Sequence, residues 1–149
     1  MRTIQYADLA GLAGEEIGVS DWLPITQARV DKFAEATGDF QWIHVDVERA
    51  VREMGGPIAH GYLTLSLIPF LSQGMLPVKG VTRGINYGSD KVRFTNMVRV
   101  GKRVRLRQKL IGADAKAGGM QIKNECTIEI EGEEKPACIA ETMSILYGG

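Results

Sequence analysis

Asp39 and His44 lie five positions apart in the stretch Thr37-Gly38-Asp39-Phe40-Gln41-Trp42-Ile43-His44. The chain's other histidine, His60, follows a Gly55-Gly56-Pro57 corner and directly precedes Gly61. A carboxylate and an imidazole, whose ordinary pKa is ~6.5, can together take and return a proton near neutral pH. Gly61 stands where the most hydrophobic run of the chain begins. The first N–H groups of a helix have no partner inside it and can hold an oxyanion. Glycine there also lets a substrate approach the backbone closely. Each of these residues has an ordinary reading as well. Asp39 can cap the turn after Gly38, and His44 can be a satisfied half-buried histidine beside Ile43 and Val45. His60 can serve only to pack or hydrogen-bond at the helix start, and Gly61 only to allow close packing.

Elements must position these residues. Thr26 can cap a helix whose apolar residues Val30, Phe33 and Ala34 recur on one face as far as Ala36. Gly38 stops it, because glycine takes the left-handed conformation favoured at a C-terminus. Asp46 can cap a second short helix to Met54, with Glu48 near its N-terminal dipole. Pro57 sits near the first position of a third. Residues 58–71 are apolar on nearly every side, the pattern of a buried helix, and Pro69 should kink it. Residues 16–26 read as a short extended segment ending near Pro24. The second half reads as sheet. Residues 81–94 are strand-like, with a slip around Gly88-Ser89 that indicates a bulge. Residues 103–110 alternate Val104, Leu106 and Leu110 against Arg103, Arg105, Arg107 and Lys109. After a loop at 112–119, Met120, Ile122, Cys126, Ile128 and Ile130 share one face and a mostly acidic set the other. These two strands read as a hairpin with one wet face and favourable cross-strand pairs. Residues 132–135 are a turn. Residues 138–147 form a last strand with Ile139, Met143, Ile145 and Tyr147 on one face. The sum is α+β: an antiparallel sheet of about five strands wrapped around one buried helix.

Bulk properties exclude several classes. With 149 residues, 44% apolar and 24% charged, the chain reads as one globular domain. Eighteen basic residues balance 18 acidic ones, which argues against nucleic acid as a partner. The basic strand is read as a solvated sheet face. Cys126 and Cys138 are too few for a disulfide framework and lack metal-ligand spacing. No signal peptide and no membrane span is read, so the expected location is cytoplasmic.

The pattern G-D-x-x-x-x-H at 38–44, then His60-Gly61 opening a hydrophobic helix, resembles the MaoC-like dehydratase or R-specific enoyl-CoA hydratase family. The resemblance covers nearly the whole chain. It implies a single hot-dog domain over residues 1–149, a helix wrapped by antiparallel sheet, paired as a homodimer. It implies that Asp39 and His44 are the catalytic pair and that the Gly61 N–H faces the thioester oxygen. The reaction implied is reversible hydration of trans-2-enoyl-CoA to R-3-hydroxyacyl-CoA. An acyl-CoA is then the substrate, with no separate cofactor and no metal. The sequence departs from the family where asparagine and proline usually separate the aspartate from the histidine. Gln41 and Trp42 stand there. Gln41 keeps an amide that can orient substrate, and Trp42 bears on substrate shape. Pocket depth is expected to follow the packing of Trp42, Tyr62 and Phe70 and the loop near Met75. Lys91 or Arg93 is a candidate for the coenzyme A phosphates, with no choice between them.

Two other readings remain open on sequence. One is an acyl-CoA thioesterase of the same fold; such enzymes usually carry a carboxylate on the central helix, and residues 58–71 contain none. The other is a non-catalytic partner subunit that only shapes an acyl groove, against which the retention of Asp39 and His44 speaks.

Overall fold

In the computed structural model, which describes residues 2–149, the first half of the chain is mostly helical and the second half is sheet. The elements run β1 (Ile4–Gln5), a 3-10 segment (Tyr6–Leu12), β2 (Glu16–Val19), β3 (Leu23–Pro24), α1 (Gln27–Thr37), α2 (Trp42–Val45) and α3 (Val47–Met54). Then follow α4 (Gly61–Ser66), α5 (Ile68–Leu71), β4 (Val78–Lys79), β5 (Val81–Arg93), β6 (Arg103–Lys116), β7 (Gly119–Ile130) and β8 (Cys138–Gly148). The main sheet is ordered β2–β6–β7–β8–β5, all antiparallel, with β3 also pairing β6. A small parallel pair joins β1 to β4.

The cross-strand expectation holds. Arg105 faces Glu129 with its Nε 2.7 Å from the carboxylate, and Arg107 reaches both Glu129 at 3.2 Å and Glu16 at 2.6 Å. Their wet face carries the charge while Val104, Leu106, Ile128 and Ile130 are fully buried behind it. These residues pack with Ile25, Val30, Leu63, Leu67 and Leu71 into one core between helices and sheet. β5 carries three register shifts, and the one between Asn86 and Gly88 falls next to the expected bulge at Gly88-Ser89. The expected loop at 112–119 is corrected. β6 runs on to Lys116, and the hairpin closes through Ala117 (φ +51) and Gly118 (φ +79). Two successive positive φ values match the right-handed twist of a two-residue hairpin. A register shift between Leu110 and Gly112 had hidden the continuing alternation.

The single buried helix over 58–71 is also corrected. Residues 58–60 are extended: Ile58 bridges Arg99, and Ala59 N–H donates to the Val98 carbonyl at 2.8 Å. The helix starts at Gly61 and breaks at Leu67, whose N–H is shared between the Leu63 and Thr64 carbonyls. Pro69 has no N–H to continue the ladder, which accounts for the break. Leu63, Leu67, Ile68 and Leu71 are buried, but Tyr62 is 69% and Phe70 51% exposed, so one face lies open. In β8, the face bearing Ile139 is the outer one. The register Cys126↔Ala140 and Ile128↔Cys138 turns Cys138 and Ala140 inward. Both cysteines are free and buried, and burial pushes the Cys138 thiol up to about 11. Among the described residues, no helix is long and apolar enough to cross a membrane.

Candidate active site

The site is assembled where three short helices meet. Thr26 Oγ1 accepts from the Arg29 N–H at 3.2 Å and starts α1, as its residue type suggests. Gly38, at φ +83, ends it and returns its own N–H to the Ala34 carbonyl. The reversal exposes Asp39, whose Oδ1 accepts from the Gln41 N–H at 3.3 Å. The turn-capping role of Asp39 is therefore real, and it leaves the carboxylate with lone pairs to spare. Gln41 opens α2 without a side-chain cap hydrogen bond and is exposed. Trp42 lies under the Arg49 guanidinium, which is 4.0 Å from the ring centre.

α2 is the one-turn helix that carries His44, and two contacts outside it fix this residue, one at its backbone and one at its imidazole. Gln27 of α1 donates to the His44 backbone carbonyl at 2.8 Å and to Asp31 at 2.9 Å. The His44 Nδ1–H donates to the Ile58 carbonyl at 2.6 Å, which leaves Nε2 as the basic nitrogen. His44 is only 6% exposed. Burial pushes its pKa below the ordinary 6.5; the Ile58 hydrogen bond opposes this, His60 adds to it, and Asp39 opposes it. The ring is thus neutral, and a base, at neutral pH.

His60 lies beneath His44, the two rings stacked with centroids 3.8 Å apart. Its Nε2–H donates to the Asp39 carbonyl at 3.0 Å, and Phe33 closes its other side at 4.8 Å. One side chain therefore ties the backbone of Asp39 to the floor under His44. A carboxylate oxygen of Asp39 and a ring nitrogen from each histidine all lie within 4.8 Å of one another. By type this set can ligate a cation. The stacked rings, tilted by only 23°, aim their in-plane lone pairs side by side and do not fit convergent coordination.

Gly61 follows His60 and is the first residue of α4. A side chain there would meet the Phe94 ring at 2.9 Å, so glycine is needed for packing as well as for access. α4 has six residues, which makes its dipole small; any oxyanion role rests on the N–H itself. Lys91 pairs with Glu141 at 3.6 Å, and Arg93 donates to the Val92 carbonyl. His60 packs and hydrogen-bonds beside the helix start, as its sequence reading allowed, whereas Gln27 and the Ile58 carbonyl were not legible as site components. Each acts through a contact distant in sequence, and Gln27 carries only the polar signal of a helix's first turn.

This fold is the hot-dog of known hydratases. The unliganded R-hydratase PhaJ1 of Pseudomonas aeruginosa matches over 92% of this chain and 83% of that one, with TM-score 0.73 and 20% identity. The model of the MaoC-like domain matches residues 8–133, and the chain belongs to the MaoC-like dehydratase family. It is 53% identical over 146 residues to the 3-hydroxyacyl-thioester dehydratase Z of Mycobacterium tuberculosis, covering 96% of this chain and 97% of that one. It is 42% identical over 150 residues to Nodulation protein N of Rhizobium leguminosarum bv. viciae, covering 98% and 93%.

Proposed function

We propose that the protein reversibly hydrates trans-2-enoyl-CoA to R-3-hydroxyacyl-CoA, with Asp39 and His44 activating the water. The observation that carries this is the gap of no more than 4.8 Å between the Asp39 carboxylate and a His44 ring nitrogen. One water, at about 2.8 Å from each acceptor, spans such a gap and bonds to both. His44 Nε2 takes a proton as the water oxygen bonds to the β-carbon. Asp39 accepts from the other O–H and holds the attacking oxygen in place. The π electrons move onto the thioester oxygen, and the proton taken from water is returned to the α-carbon. Dehydration is the same path reversed. Both the 3-hydroxyacyl-thioester dehydratase and the R-hydratase among the similar proteins support this reaction class. The carrier is tested by offering one trans-2-enoyl group on coenzyme A and on acyl carrier protein. Faster hydration of the coenzyme A thioester to R product supports the reading; a carrier-protein preference or S product overturns it.

The Gly61 N–H serves the thioester oxygen as its charge develops. His60 has φ −60 and ψ 139, a conformation that tolerates a following proline, and proline suits the first position of a helix. Gly61→Pro therefore removes the N–H with little backbone cost once Phe94→Ala has made room. Relative to Phe94→Ala alone, kcat should fall by about 10²–10³. An unchanged kcat would remove Gly61 from the mechanism.

The working unit is a homodimer. β5 is an edge strand with nearly every residue exposed, and Ile85 and Tyr87 on it are 50% and 53% exposed. Tyr62, Phe94 and Met97 are exposed as well, the Tyr62 and Phe94 rings 5.8 Å apart. A long open edge with apolar side chains invites pairing with another strand. Light scattering should give twice the mass of the 16.3 kDa chain, and a monomeric mass at working concentration would contradict the pairing.

A further inference from the structure

The inner face of the sheet should be apolar throughout, and along one diagonal it is not. β6 presents Val104, Leu106, Gln108 and Leu110 inward. β7 presents Ile122, Asn124, Cys126 and Ile128. β8 sets Thr142 against Asn124 and Ser144 against Ile122. Gln108, which faces Cys126, Asn124 and Thr142, which face each other, and Ser144, which faces Ile122, thus make a polar band running diagonally across three strands. The band lines a cavity of about 510 Å³ whose opposite wall includes Leu65 and Ser66 of α4. A second cavity, of about 210 Å³, shares Gln108, Asn124 and Ser144 and continues to apolar walls that include Leu9, Met75 and Leu110.

The helix links this space to the site. Leu65 lies four residues after Gly61 and therefore on the same helix face. Ser66 is about 7.5 Å further along the axis than Gly61. A chain laid along this helix face from Gly61 would pass Leu65 and Ser66, then meet the polar band and the apolar end beyond it. Plain methylenes would cross the band without satisfying it. Burying polar groups against methylenes is unfavourable. Thr142 is 3.5 Å from Cys126 Sγ, while Gln108 Oε1 is buried and accepts no hydrogen bond among the described residues. Asn124, 8% exposed, is the most buried polar residue of the band.

We propose that the acyl group processed here carries a hydroxyl partway along its chain, which hydrogen-bonds to the polar side chains of Gln108 and Asn124 where the two cavities meet. The apolar walls beyond then take the rest of the chain. This inference rests on the hydratase reading above and adds the substrate class. A site built around polar partners rejects the analogue that leaves them unpaired, more strongly than an apolar site distinguishes one methylene.

The test uses trans-2-enoyl-CoA thioesters of one chain length, unsubstituted or with a single hydroxyl moved one carbon at a time, with crotonyl-CoA alongside. The wild-type protein should turn over at least one hydroxylated isomer with kcat/KM about tenfold or more above the unsubstituted chain. Gln108→Leu should erase or invert that preference. Crotonyl-CoA turnover with equal or better kcat/KM for the unsubstituted chain than for every hydroxylated isomer overturns this inference and leaves the hydratase reading standing. No turnover of any enoyl thioester, crotonyl-CoA included, overturns both.

Discussion

Replacing His44 by asparagine is expected to lower kcat for enoyl hydration by about 10²–10⁴, the range a positioned general base supplies. Asparagine is the informative substitution. Its amide can still donate to the Ile58 carbonyl, whereas alanine would leave that buried acceptor unpaired at a cost of ~1–3 kcal/mol. The wild-type pH profile carries the same signature. Neutral His44 is the active form, and burial holds its pKa below 6.5, so kcat/KM should rise with pH and level off with a midpoint below 6.5. The fold disfavours the protonated ring. The unfolded chain therefore takes the proton first as pH falls, and the stability that neutral His44 confers is present above 6.5 and lost as pH drops through its folded value. The asparagine variant should lack the kinetic limb attributed to His44 and lose less of its melting temperature in acid. A variant that keeps wild-type kcat would show that His44 is only a structural histidine.

Asp39→Asn should be the cleaner variant. Asp39 is exposed, and an amide oxygen can still accept from the Gln41 N–H, so the turn persists and stability should change by no more than about 0.5 kcal/mol. What disappears is the charge facing the water. We expect kcat to fall by about 10²–10⁴ with KM little changed, the pattern of an interaction made in the transition state. Equal losses in melting temperature and activity would instead mark Asp39 as a turn residue.

Much of this site was legible because its signals are local. Thr26 and Asp46 cap helices, and Gly38 and Gly55 end them in the left-handed conformation, as their residue types dictate. The alternation of β6 and β7 gave the hairpin and its charged face. What failed depended on partners distant in the chain. α2 is one turn long, too short to show a period, and is held by Gln27 and Ile58 from either side. The run at 58–71 is apolar because parts of it are strand-like, core-facing and exposed in turn, and apolar content alone does not separate these. Alternation within β8 named one shared face correctly, but the register with β7 decided which face looks inward. The polar band at Gln108 and Asn124 went unread because each residue alone is unremarkable on its strand.

The most direct test of the central claim follows the conjugated enoyl-thioester absorbance on mixing the protein with crotonyl-CoA and a longer 2-enoyl-CoA, with Asp39→Asn and His44→Asn beside it. The account predicts loss of that absorbance with the wild-type protein, no release of free thiol, and little or no turnover by either variant. Undiminished turnover by both folded variants, or thiol release in place of hydration, would contradict it.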